Sequence, residues 1–233
     1  MIASFVTDPS FRSILYIIAF GLFIYGLSGL TGPKTAVRGN RIAAVGMGVA
    51  VIATLLVPHV SNIVLIVLGV AIGTAVGVPA ARQVKMTQMP QMVALYNGVG
   101  GGAVALIAWV EFRHGFAPAH HPPTRDWPLR SEIFELFGAV VGSISFWGSN
   151  IAFGKLQEIL PGRPIKLPGQ AQTFVNLGLF LVCIASAVAL CAGSHSQALF
   201  ILGILVAAAV LGNMVVLPIG GADMPVVISL LNA

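Results

Sequence analysis

Seven apolar runs joined by mostly short connections constrain this chain more than any other feature. They cover residues 13–30, 42–57, 62–81, 89–110, 133–153, 171–192 and 197–217. An eighth run begins at Pro225 and continues to Ala233. A helix that crosses a bilayer needs about 17–25 mostly apolar residues. Most of the seven runs meet that length. The second is slightly short and stops at Pro58. Backbone amides in hydrocarbon must bond within their own segment, so runs of this kind are read as helices. The expected fold is all-α: a polytopic transmembrane helix bundle of seven full helices plus the start of an eighth. Residues 1–233 are read as a single transmembrane domain, with no internal repeat at a fixed period.

Composition agrees with that reading. The 233 residues are 57% hydrophobic and 8% charged, with mean hydropathy +0.96. A soluble domain carries about 25% charged residues. Membrane lipid is therefore the expected solvent. The net charge of +5 does not point to nucleic acid, because the basic residues sit in loops between apolar runs. Cys183 and Cys191 share one run and lie roughly 12 Å apart along a helix, too far to form a disulfide. The first run lacks a basic leader and an A-x-A site, so it is not read as a signal peptide.

The basic residues also set an expected orientation. Lys34, Arg38, Arg41, Arg82, Lys85, Lys155, Arg163 and Lys166 fall on one side. Arg12, Arg113, Arg125 and Arg130 fall on the other. The positive-inside rule places the first group in the cytoplasm. The N-terminus and the 111–130 connection are then outside. The 154–170 and 218–225 connections are inside.

Polar side chains inside apolar runs are the candidate functional groups. Asn97 lies in LYNGVGGG, with glycines at 98, 100, 101 and 102. An amide in hydrocarbon is costly unless it faces protein or a water-filled path. The fifth run carries Ser143, Ser145, Ser149 and Asn150 in GSISFWGSN. The eighth carries Ser229 and Asn232. Asn97, Ser149 and Asn232 are candidates for a polar thread across three helices. Helix–helix hydrogen bonding with close glycine packing accounts for the same residues without transport.

The wording of two segments is more specific. Residues 85–102, KMTQMPQMVALYNGVGGG, and 220–232, GGADMPVVISLLN, resemble the membrane domain of the beta-type subunit of proton-translocating NAD(P) transhydrogenase. The resemblance covers nearly all of this chain but only the N-terminal half of a full subunit. It implies a ninth helix and an NADP(H)-binding domain that this sequence does not contain. It implies that the fourth, fifth and eighth helices line a proton path, with Asn97, Ser149 and Asn232 on it. Asn97 stands where the family often carries a histidine. An amide cannot exchange a proton near neutral pH as imidazole can, so Asn97 is expected to hold water or a proton wire rather than to titrate. Asp223 matches the acidic residue at the cytoplasmic mouth of the eighth helix and is the expected coupling gate.

The implied activity is hydride transfer between NADH and NADP⁺ coupled to proton movement. No catalytic, cofactor-binding or metal-ligating residue is expected in this chain, which has no Rossmann fingerprint. NAD(H) and NADP(H) would both be bound by domains outside it. The implied partners are one or more alpha-type subunits and the NADP(H)-binding domain, in a homodimer of the complex at the inner (plasma) membrane. The alternative is a non-catalytic fragment, or a stand-alone channel or assembly subunit. Coding sequence downstream for a nucleotide domain would separate the two.

Other signals are weaker. Residues 98–102, GVGGG, superficially resemble a phosphate loop, but no strand precedes them and no Lys-Ser/Thr follows. His114, His120 and His121 lie in a proline-rich connection with no cysteine partner and read as solvated. His59 and His195 read as interfacial. Glu132 and Glu135 open the fifth helix, where acidic side chains favour the helix dipole.

Overall fold

A computed structural model describes residues 8–56, 62–116, 129–194 and 196–232. Every regular element among them is helical. Seven helices are long and apolar enough to cross a membrane, and a shorter apolar helix follows. We number them α1, Pro9–Gly29; α2, Ala36–Leu55; α3, Ile63–Gln83; α4, Met89–Phe116; α5, Leu129–Leu156; and α6, Ala171–Cys191. Helix α7 joins a π-helical stretch, Leu199–Val206, to an α-helix, Ala207–Val216. The short helix α8 is Met224–Asn232. The all-α helix bundle expected from run lengths is the fold found.

Several boundaries differ from the runs. Helix α2 starts at Ala36, not residue 42, and so takes in Arg38 and Arg41. Helix α4 continues to Phe116, and α5 begins at Leu129. Apolar runs mark the span in hydrocarbon, whereas a helix can continue into the interface, where long basic side chains reach the headgroups. Pro90 and Pro225 are the second residues of α4 and α8, where a missing N–H costs nothing. Pro79 lies inside α3, near its end. The histidines at 59, 120, 121 and 195 lie outside the described residues, and so does the side chain of His114.

The chain divides into two compact units, Met1–Pro79 and Ala80–Ala233. In the first, α1 and α2 pack through glycine. A Cβ on Gly39 would stand 2.5 Å from the Gly26 carbonyl oxygen, and one on Gly46 would stand 3.1 Å from that of Ala19. Tyr16 and Thr54 share a hydroxyl hydrogen bond of 3.0 Å. Asp8 caps α1 by accepting from the Ser10 N–H at 2.8 Å. No residue of α3 is buried. Its exposed Val, Ile and Leu side chains suit lipid contact.

The second unit holds the candidate site. Small residues recur on α4 at three- and four-residue spacing: Ala94, Gly98, Gly101, Ala105 and Ala108. Gly138, Gly142, Ser145, Ser149 and Ala152 do the same on α5. The two stripes meet antiparallel. Gly98 lies against Ser149, Gly101 against Gly142 and Ser145, and Gly142 against Ala105. Side chains this small let the helix backbones approach closely, as in small-xxx-small membrane packing. Apolar clusters seal both ends of the contact. One joins Phe112, Leu136, Ala139, Leu190, Phe200 and Ile204, with the Phe112 and Phe200 rings stacked at 4.3 Å. The other joins Ala94, Ala152, Val216, Met224, Val227 and Ile228.

A candidate proton path and its mouth

The centre of the α4–α5 contact is polar. Asn97 lies roughly 12 Å along α4 from Met89 by helix rise. Its Nδ2 donates to Ser149 Oγ at 2.9 Å and to Ser145 Oγ at 3.2 Å. Ser149 is fully buried, and Ser145 nearly so. Ser145 Oγ also makes a long contact, 3.5 Å, with the Leu231 carbonyl of α8. The structure therefore brings Asn97 and Ser149 together and adds Ser145, which the sequence flagged only as one polar residue of its run. Three helices contribute to this group. Asn232 is the last residue of α8, but its side chain lies outside the described part of the chain.

The remaining polar residues of α5 point elsewhere. Ser143 Oγ donates to the Leu205 carbonyl at 2.8 Å. That carbonyl belongs to the π-helical stretch of α7, where the normal α-helical bonding register is interrupted. Asn150 Nδ2 donates to the Phe146 carbonyl of its own helix at 2.9 Å. These two residues account for their polarity through helix packing.

At one end of the unit, the α5–α6 connection is tied to the α7–α8 turn. Gly221 N–H donates to the Gly162 carbonyl at 2.8 Å, and Ile165 N–H donates to the Leu217 carbonyl at 3.0 Å. Asp223 closes a 3-10 turn, Gly221–Asp223, immediately before α8, and its side chain is exposed. Its N–H bonds to the Gly220 carbonyl at 3.1 Å. Asp223 thus stands at the entrance to α8, on the surface.

Sequence reasoning missed Lys155. It counted this residue among the loop charges that orient the chain. The structure makes it the only buried charged side chain among the described residues, 2% exposed. The pattern FGKL at a helix end carries no sign of this, because a terminal lysine ordinarily extends to the interface. No group of three or more potential metal ligands occurs among the described residues.

A sequence profile described as the NAD(P) transhydrogenase beta subunit matches residues 12–233. The NAD(P) transhydrogenase subunit beta of Rhodospirillum rubrum is 42% identical over 224 residues. That match covers 94% of this chain and 46% of the relative. A second sequence of that subunit, from a named strain of the same organism, matches at the same identity and coverage. The chain spans about half the length of the curated relatives it matches. The profile covers nearly the whole of this sequence, and on that ground the chain belongs to the NAD(P) transhydrogenase beta subunit family.

Proposed function

We propose that this chain is the membrane module through which a transhydrogenase couples hydride transfer between NADH and NADP⁺ to proton translocation. The observation that carries the reading is the Asn97–Ser149–Ser145 group, a half-buried amide on two buried hydroxyls, set between helices that otherwise pack through glycine and alanine. Polar groups in a membrane span are costly and face the bundle interior or a water-filled path rather than lipid. A proton on this route moves along hydroxyls and intervening water, because neither Asn nor Ser titrates near neutral pH. Asn232 extends the route on α8. Asp223 is the gate. It sits where a docked NADP(H)-binding domain can bias the turn before α8, and occupancy of that domain shifts the gate between two states.

The chain carries no nucleotide site in this reading. NAD(H) and NADP(H) bind on the alpha-type subunit and the NADP(H)-binding domain, in a complex that is a homodimer in the inner membrane. The Lys- and Arg-rich connections face the cytoplasm. The test is a reconstituted complex containing this chain and both nucleotide-binding parts. Hydride transfer from NADPH to an NAD⁺ analogue should move protons across the vesicle wall. Hydride transfer at full rate with no proton movement would overturn the proposal.

A further inference from the structure

The α7–α8 turn is held by a buried cation. Lys155 Nζ donates to the Leu217 carbonyl at 2.5 Å and to the Ile219 carbonyl at 2.7 Å. Leu217 is the residue that caps α7. The last carbonyls of a helix lack intrahelical partners and carry the negative end of its dipole. An ammonium group placed there makes a charge-assisted bond to the Leu217 carbonyl and a second to the Ile219 carbonyl, two residues past the cap. Burial of the lysine would be unfavourable without those partners. The same turn accepts from Ile165 at Leu217 and donates from Gly221 to Gly162. The end of α5, the α5–α6 connection and the α7–α8 turn therefore form one hydrogen-bonded unit, with Lys155 at its centre. Lys155 also borders a cavity of about 500 Å³, lined by Glu158, Leu160, Gly162 and Gly221 among others.

We infer that Lys155 is a positioning residue: its ammonium fixes the α7–α8 turn and so sets the placement of Asp223 and the start of α8. It acts through the turn backbone and touches no reacting atom. The consequence for coupling rests on the function proposed above, whereas the clamp itself does not.

Two measurements separate the clamp from the coupling. In the unmodified complex, hydrogen exchange should show Gly221 and Ile165 amides protected to the level of the neighbouring helices. In a Gly162→Cys/Gly221→Cys background, mild oxidation should link the two thiols rapidly when Lys155 is present. Lys155→Met should slow that linkage several-fold, and Lys155→Arg should restore much of it. In the same complexes, Lys155→Met should lower protons moved per hydride and change NADP(H) affinity, with Lys155→Arg between it and wild type. Fast exchange at Gly221 and Ile165 would overturn the inference even if no variant can be purified. Unchanged linkage in Lys155→Met would overturn the clamp. Slowed linkage with unchanged coupling and NADP(H) affinity would overturn the positioning role. Failure of the proposed function looks different: the complex with native Lys155 would transfer hydride without moving protons.

Discussion

Asn97 of α4 and Ser149 of α5 lie 52 positions apart in the chain and share a 2.9 Å hydrogen bond in the middle of the helix pair. The glycines around them make that bond possible. A Cβ on Gly98 would stand 3.2 Å from Ser149 Cβ, and one on Gly101 would stand 2.8 Å from Ser145 Cβ. Asn97 reaches both hydroxyls because α4 presents only glycine hydrogens to the two serines at Gly98 and Gly101. Packing and polarity are thus one arrangement here.

Ser149→Ala tests the polar group with little change in volume. The Asn97 amide keeps Ser145 and loses its shorter bond. Interhelical hydrogen bonds in membrane proteins average about 0.6 kcal/mol, so the bundle should stay folded and lose roughly that much stability. Proton movement should fall far more than this small loss accounts for. A pH-sensitive dye inside reconstituted vesicles, read beside thermal unfolding of the same sample, checks both. Pumping that falls only in proportion to folded protein would reduce Ser149 to a packing residue.

Gly101→Ala and Gly142→Ala should both destabilise the α4–α5 pair. A Cβ on Gly101 meets the Gly142 carbonyl oxygen at 2.8 Å, and a Cβ on Gly142 meets that of Gly101 at 2.6 Å. Backbone atoms cannot swing aside, so the helices must separate, at a cost of about 1–3 kcal/mol. Gly100→Ala is the control, since nothing lies within 4 Å of its Cβ position. It should leave stability unchanged or raise it slightly, alanine being the better helix former. Melting temperatures of the three purified variants decide the matter. Equal effects at positions 100 and 101 would contradict the packing described.

Asp223→Ala should depress coupled pumping and change NADP(H) affinity together. Linkage requires both effects if one gate senses the nucleotide domain and controls the proton route. Asn232→Ala should act mainly on pumping, because it lies roughly 13 Å further along the helix by rise. Titration of NADP(H) binding alongside pumping in the reconstituted complex tests this. If Asp223→Ala leaves both at wild-type values, the residue is an ordinary acidic group at a helix start, serving the dipole alone.

Fusions test orientation. A reporter joined after Lys166 should score as cytoplasmic, and one joined after His121 should score as external. The Lys and Arg asymmetry between the two sets of connections drives the expectation. Reversal at both positions would invert the bundle and move Asp223 away from any cytoplasmic nucleotide domain.

The sequence by itself determined the number of helices and their approximate spans, because run length answers to a one-dimensional quantity, the thickness of hydrocarbon to be crossed. It also singled out Asn97 and Ser149, since polar atoms in an apolar run stand out wherever the helix faces. It made Ser143, Ser145, Ser149 and Asn150 look alike. Only the tertiary structure separated them, sending Ser145 and Ser149 to Asn97, Ser143 to Leu205, and Asn150 to its own helix. That choice depends on which face each helix turns to which neighbour and how closely the backbones approach. The π-helical stretch of α7 was equally hidden, because Leu199–Val206 is apolar throughout and its single glycine, Gly203, is an ordinary residue of membrane helices. Lys155 shows the limit most clearly. A lysine near a helix end belongs by composition to the water interface, and only the arrival of the Leu217 and Ile219 carbonyls from 62 and 64 positions away gives its ammonium a reason to be buried.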